Sequence, residues 1–388
     1  MSMVNNEWLP RKLDQLGFVG RGKSRHRPRN ASHLYDGPYP FFQTGDIKAA
    51  GYHLTYYTQT YSEQGLAQSK LWEPGTLCIT IAANIAESAI LGVRGCFPDS
   101  VVGFIPDPTK ADVRFVKYYM DTLKLQMQSI SRGTTQDNLS VDKLLTFDFL
   151  TPPIPVQQRI AGILSAYDEL IENSQRRIKV LEAMARGLYR EWFVHFCFPG
   201  HENHPRVASA LGEIPQGWMV KKLSEIAILN YGKALKKEDR CEGDFPVFGS
   251  SGVVGTHNVA LVKGPGIIVG RKGNVGSVFW CDDDFFVIDT AYFVTSSLPL
   301  RYLFYVLPTL NFINSDAAVP GLSRNQAYSL DVLVPPQEVL VLFCELANTF
   351  ECQALTLNRQ IQNLRRTRDL LLPRLLSGQI NEEAAEHV

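Results

Sequence analysis

The chain is written twice, and the repeat is tightest along a hydrophobic stripe. Ile160, Leu164, Tyr167, Ile171, Ser174, Ile178, Leu181, Ala185, Leu188 and Trp192 are spaced alternately by four and three residues. The positions 183 residues further on are Phe343, Ala347, Phe350, Ala354, Leu357, Ile361, Leu364, Arg368, Leu371 and Leu375, again apolar at all places but one. An apolar period of 3.5 residues kept this long marks a coiled-coil seam, not the face of an ordinary surface helix. The sequence therefore predicts two long, matched helices.

The repeat extends upstream of both helices. Leu139-Ser140 and Asp148-Phe149-Leu150-Thr151-Pro152-Pro153 precede the first, and Leu322-Ser323 and Asp331-Val332-Leu333-Val334-Pro335-Pro336 precede the second at the same offset. Trp8, Arg11, Lys12 and Leu13 are answered by Trp218, Lys221, Lys222 and Leu223, and Asn84 and Asp99 by Asn274 and Asp289. The offset falls from 210 to 183 along the copy, so insertions and deletions fell in the globular parts and not in the helices. The predicted organisation is an α+β globular unit (1–151), a spacer helix (152–196), a second unit (197–334), and a second spacer helix with its tail (335–388).

Within the units, residues 76–82, 88–91 and 101–105 read as strands, with counterparts at 267–269, 278–280 and 285–288. Residues 112–130 and 300–313 read as helices, and Ser140 and Ser323 as N-caps of short ones. Residues 196–217, rich in Pro, Gly and His, read as the linker between copies.

Composition excludes several classes. Lys and Arg balance Asp and Glu at 39 each, so a DNA binder built from this chain must concentrate its positive charge locally or borrow it from a partner. The seven cysteines are scattered and form no C-x-x-C pair, against a disulfide framework and a zinc site. No 18-residue apolar run and no signal-peptide profile is present, so the expectation is a soluble, cytoplasmic protein with no membrane partner.

Gly17-Phe18-Val19-Gly20-Arg21-Gly22-Lys23-Ser24 satisfies the P-loop pattern. A true P-loop needs a helix beginning at Lys-Ser, and Arg25-His26-Arg27-Pro28-Arg29 argues against one. Three readings stand: a nucleotide site, a solvated loop, or a loop in which Lys23, Arg25, Arg27 and Arg29 neutralise DNA phosphates. Gly270-Arg271-Lys272-Gly273-Asn274-Val275-Gly276 does not fit a dinucleotide fingerprint. It reads as a turn between strands that displays Arg271, Lys272 and Asn274, side chains suited to phosphates and purine edges, or as a plain hairpin loop. Thr134, Thr135 and Gln136, with Lys233 and Arg324 in the second copy, complete the candidate DNA contacts. Tyr52, Tyr56, Tyr57 and Tyr61 could stack on bases but read more naturally as packing.

Catalytic signatures are missing. Nothing after Pro98-Asp99 or Pro106-Asp107 supplies the D/E-x-K of a nuclease, and neither Pro-Pro pair belongs to the Asn/Asp-Pro-Pro-aromatic loop of an amino-methyltransferase. His195, His201 and His204 near Cys197 form no recognisable ligand set. The expectation is a binding protein without catalytic residues or metal. Its rivals are a P-loop nucleotide-binding protein and a coiled-coil scaffold that binds only protein.

Taken with Tyr39-Pro40-Phe41-Phe42-Gln43-Thr44-Gly45-Asp46-Ile47, Leu211-Gly212-Glu213-Ile214-Pro215-Gln216-Gly217-Trp218 and the Pro-Pro start of each spacer helix, the duplicated pattern resembles the specificity subunits of type I restriction-modification systems along essentially its whole length. The resemblance implies two target recognition domains, each reading half of a bipartite site in double-stranded DNA. It also implies spacer helices packed antiparallel in a circular, pseudo-two-fold arrangement. Two modification subunits carrying S-adenosylmethionine would dock on the chain, restriction subunits would supply ATP- and Mg-dependent chemistry, and the chain itself would bind none of these cofactors. The P-loop match then becomes a phosphate-contacting loop. Copy two has Ser251-Gly252 where copy one has Gly45-Asp46, so residue roles are not carried between copies. Independently of the resemblance, two equal seams in the order unit, helix, unit, helix are satisfied by antiparallel pairing. The seam from Phe343 to Leu375 spans about 50 Å of helix, comparable with a turn or so of DNA at about 34 to 36 Å.

Overall fold

Each copy is closed by a strand from its own far end. Leu9–Arg11 runs antiparallel to Phe149–Thr151, and Met219–Lys222 antiparallel to Asp331–Val334. Beside each pair an ion pair repeats, Lys12 to Asp148 and Lys222 to Asp331, both at 2.8 Å. The structure is a computed structural model that describes residues 8–132, 139–312, 314–315 and 321–379. In it the chain divides into two units, Met1–Ser174 with Arg359–Val388, and Gln175–Asn358.

In the first unit, β1 (Gly17–Arg21), β2 (Leu77–Thr80), β3 (Ser88–Leu91) and β4 (Val101–Pro106) form a sheet in the order β1-β4-β2-β3, with His53–Leu54 added beyond β3. Alternate residues of β2 and β4, Leu77, Ile79, Val102 and Phe104, pack on Phe115, Tyr118 and Met120 of α1 (Val113–Arg132). Asp112 starts that helix, its carboxylate accepting from the Arg114 amide at 2.8 Å. Strands Tyr35–Phe41, Gln59–Tyr61, Leu71–Trp72 and Gly95–Cys96 make a second sheet. Helix α2 (Ile154–Tyr189) begins directly after Pro152-Pro153 and carries Pro155 in its first turn, where a missing N–H costs nothing.

The second unit repeats this plan. Strands β5 (Ala227–Tyr231), β6 (Gly266–Gly270), β7 (Val278–Cys281) and β8 (Ala291–Ser296) pair in the order β5-β8-β6-β7, and α3 (Leu300–Val306) covers them. The expected helix over 300–313 is shorter than the sequence suggests, because Pro308 cannot continue the α-helical bonding and Leu307–Thr309 tightens into a 3-10 turn. Of the strand expected at 285–288, Phe286–Val287 pairs with Phe245–Gly249 of the second sheet, and Phe285 bridges Val262 on its own. Residues 196–217 are more than a linker: Arg206–Ser209 and Gly212–Pro215 form a hairpin whose turn places Gly212 at φ +93°. Ser140 and Ser323 cap their short helices as expected, accepting from the amides of Lys143 and Gln326.

The other long helix is α4 (Gln337–Leu376). In the first unit, Ile160, Ala161 and Leu164 near the start of α2 share a core with Leu375 and Leu376 at the end of α4. In the second, Ala185 near the end of α2 shares a core with Phe343 and Ala347 near the start of α4. Within each unit the two helices therefore run in opposite senses. All thirteen seam positions assigned from the sequence, six on α4 and seven on α2, are buried or half-buried. Arg368, the polar break in the second stripe, is paired with the buried Asp168, whose other oxygen accepts from the Tyr118 hydroxyl at 2.6 Å. By length and composition alone α4 could cross a bilayer, but its apolar residues at both ends fill protein cores.

Candidate nucleic-acid interface

Strand direction gathers the loops that matter at one end of each main sheet. In the first unit β1 ends at Arg21, β2 ends at Thr80, and β4, antiparallel to both, begins at Val101. The segments after 21, after 80 and before 101 therefore leave together. Four backbone hydrogen bonds tie them: Gly22 N–H to Val101 O (2.8 Å), Lys23 N–H to Phe97 O (3.1 Å), Ile81 N–H to Ser100 O (2.9 Å) and Leu139 N–H to Ile81 O (2.9 Å). The second unit has the same four, from Gly232 to Ala291 (3.2 Å), Lys233 to Val287 (2.9 Å), Arg271 to Thr290 (2.9 Å) and Leu322 to Arg271 (2.7 Å). A side chain at Gly22 or Gly232 would collide with carbonyl oxygens, those of Phe97 and Pro98 or of Val287 and Ile288. The glycine of the P-loop-like motif is thus required by strand packing. No helix begins at Lys23-Ser24, since β1 occupies Gly17–Arg21 and an irregular loop follows. The nucleotide-site reading is overturned.

On the first unit's loop end, Lys23, Arg25, Arg27 and Arg29 are all exposed. They are held differently. Arg29 bonds both oxygens of Asp99 at 2.9 Å, and Arg27 donates to the carbonyls of Ser24 (2.7 Å) and His26 (2.8 Å). Lys23 and Arg25 are fixed through their backbones, by the Ser69 hydroxyl and the Gln68 amide, leaving their charges outward. Two cations missed in the sequence join them. Arg21 donates to the Asp99 carbonyl (2.5 Å), and Lys70 lies 3.5 Å over the Trp72 ring and 4.8 Å over the exposed Phe18. Burial and the neighbouring Lys23 charge lower the Lys70 pKa. Thr134, Thr135 and Gln136 lie outside the described residues. Tyr52 and Tyr61 are core residues, as packing suggests, whereas Tyr56 and Tyr57 are exposed.

Two of the second unit's candidates converge on Tyr231, another residue the sequence did not single out. The guanidinium groups of Arg271 and Arg324 stack 5.0 Å and 4.9 Å from its ring, and neither forms an ion pair among the described residues. Arg271 also donates to the Asp289 carbonyl (3.1 Å), and Lys272 approaches the Asp289 carboxylate (3.8 Å). Among the described residues the Asn274 amide reaches only the Ser251 hydroxyl, at 3.3 Å. Tyr292, next to Tyr231, has its pKa pushed up to about 12, first by burial and then by its bond with Tyr231, against the pull of the two arginines. Lys233 is exposed, as are Lys236 and Lys237, which the repeat offset would have found opposite His26 and Arg27. No cluster of three or more metal-ligating side chains occurs among the described residues. His201 and His204 instead bond the carbonyls of Phe198 and Gln216, both at 2.8 Å.

Comparison with known proteins gives this arrangement a family. The model of the type I restriction modification DNA specificity domain matches residues 5–183 and 215–338. The MjaIX type I restriction enzyme specificity subunit of Methanocaldococcus jannaschii is 22% identical, over 98% of this chain and 95% of that one. The EcoprrI specificity subunit of Escherichia coli is 24% identical, over 90% and 89%. A crystal structure of the S subunit of a type I restriction-modification system from M. genitalium has the same fold, with a TM-score of 0.62, 18% identity and 97% of both chains covered. The chain therefore belongs to the family of type I restriction-modification DNA specificity subunits, the DNA-recognising, non-catalytic members of their complexes.

Proposed function

We propose that the chain reads a bipartite duplex site, one half with the loop end of each unit, and directs the modification subunits of its complex there. One observation carries the reading: the loop end is built twice, hydrogen bond for hydrogen bond, and bears cationic side chains both times. Lys and Arg position a protein on phosphates, and Arg and Asn also read purine edges. The two ends differ in their side chains, which suits two different half-sites.

On this proposal α2 and α4 form an antiparallel coiled-coil spacer in a circular, pseudo-two-fold chain, and the constant helix length fixes the gap between half-sites. The burial or half-burial of the thirteen apolar seam positions and the opposed helix senses within each unit support it. Two modification subunits would carry S-adenosylmethionine, and restriction subunits, where present, ATP and Mg, all in the cytoplasm. Leu170, Val180, Met184, Leu342, Leu346 and Leu370 are exposed along the long helices, and apolar residues left bare in this way suit cover by other chains. Partners would also add the positive charge that a neutral chain lacks. The test is methylome sequencing of a host expressing the chain with its modification subunit. The expected motif has two specified half-sites and a gap of fixed length and free sequence; a contiguous motif, or a gap of variable length, overturns the proposal.

A further inference from the structure

One turn is repeated more faithfully than its sequence. Residues 80–87 and 270–277 link the second and third strands of the two main sheets at the loop end. In the first, Thr80 N–H donates to Glu87 O and Ala86 N–H to Thr80 O, each at 2.9 Å; in the second, Gly270 N–H donates to Ser277 O at 2.7 Å and Gly276 N–H to Gly270 O at 2.9 Å. Both turns contain two left-handed residues at matching places, Ala83 and Ala86 at φ +61° and +62°, and Gly273 and Gly276 at φ +79° and +75°. Left-handed backbone is strained for alanine and nearly free for glycine. Ala86 is buried in the core, so its methyl group returns packing, but Ala83 is exposed and gains nothing of the kind. The first unit thus holds this backbone shape without the residue that adopts it most easily, which is the mark of a conformation kept for use.

Between the left-handed pair stand two residues with opposite fates. Ile85 is buried in the core of its unit, and Val275, half-buried, packs against the core of the other. Asn84 is half-buried and Asn274 exposed, and among the described residues their amides have only long, weak partners: the Lys48 ammonium at 3.4 Å and the Ser251 hydroxyl at 3.3 Å. In each unit an apolar residue therefore anchors the turn while an asparagine is offered beside cations, Lys48 in one and Arg271 with Lys272 in the other. An asparagine amide has one donor and one acceptor side, which matches adenine N7 and N6 in the major groove.

We infer that Asn84 and Asn274 are equivalent specificity-determining residues, each reading one base pair, adenine by the chemistry of its amide, in its own half-site. This rests on the bipartite reading proposed above. The test uses the full chain assembled with its modification subunit, and competition between the parental target duplex and duplexes substituted one base pair at a time. Asn84→Ala should lose discrimination at one position of one half-site by roughly ten- to a hundredfold, and Asn274→Ala at one position of the other. The isosteric Asn84→Asp and Asn274→Asp keep the turn's shape and remove the donor, so they report the same loss if an alanine variant folds poorly. Thermal unfolding and Ala83→Gly, which should leave selectivity unchanged, control for damage to the turn. Parental selectivity in any Asn variant, a uniform weakening with no position relaxed, or one variant relaxing both half-sites would each overturn the assignment. If the parent itself shows no bipartite selectivity, it is the proposed function that fails.

Discussion

Arg29 and Lys23 sit on the same loop but are differently free to meet a phosphate. Arg29 would have to leave Asp99, with which it makes two bonds, while Lys23 and Arg25 make no ion pair among the described residues. Neutralising both Lys23 and Arg25 to Ala should therefore lower the slope of log K against log salt by about two, at roughly 0.9 per contact, in both specific and non-specific duplex binding by the assembled complex. Arg29→Ala should change the slope less. An unchanged slope in the double variant would return the segment to a solvated loop. The density of basic residues at Lys23, Arg25, Arg27 and Arg29 was legible because it lies in seven consecutive positions. The second unit's cluster was only half legible: Arg271 and Arg324 meet over Tyr231 because strand pairing and a capped short helix bring together residues far apart in sequence. Lys70 reaches Lys23 in the same way, through tertiary packing alone.

At the scale of elements, the helices were the most legible part because a seam imposes one period on many residues at once. What the period could not say is why it breaks. Arg368 breaks it in order to hold Asp168, and Asp168 in turn takes the Tyr118 hydroxyl from α1, so that burial and the carboxylate charge push the phenol's pKa far up. In the second unit Tyr305 of α3 bonds Glu351 of α4 at 2.5 Å, the same phenol-to-carboxylate tie between a domain helix and a long helix. Such ties fix each domain helix on its support, so a change in support length should be carried through. Inserting one heptad after Ile171 and one after Ala354 should lengthen the preferred gap in the methylated motif by about 10 Å of duplex, at 1.5 Å per residue, with the half-site bases unchanged. A folded, active variant that keeps the original gap would show that the helices are not the ruler. Short elements were read less well, as α3 and the hairpin within 206–215 show, because a single proline or a two-residue turn decides them.

At the scale of the molecule, both copies finish alike. Gly378, two residues past α4, lies against the indole of Trp8; in the second unit Phe196 and Phe198, just past α2, pack on Trp218 with ring centroids 5.6 and 5.1 Å away. On the circular arrangement proposed above, the segment past α2 serves the second unit as the segment past α4 serves the first. A permutant opened between the exposed Glu202 and Asn203, ahead of the hairpin, with the old termini joined by a short Gly-Ser linker, should fold and direct methylation to the parental motif. An insoluble permutant, or one of altered specificity beside a well-behaved parent, counts against the circular arrangement. The copies are nevertheless not interchangeable. The position in α2 that corresponds to Arg368 of α4 is Ala185, which is buried. Were two first halves to associate with each other in place of the second, each Asp168 would face a methyl group and keep only the Tyr118 hydroxyl, and leaving a buried charge without its counter-charge costs about 3 to 5 kcal/mol. Arg368 should therefore favour the chain's own second half over a second copy of its first, a preference that co-expression of the separate halves with Arg368→Ala would abolish.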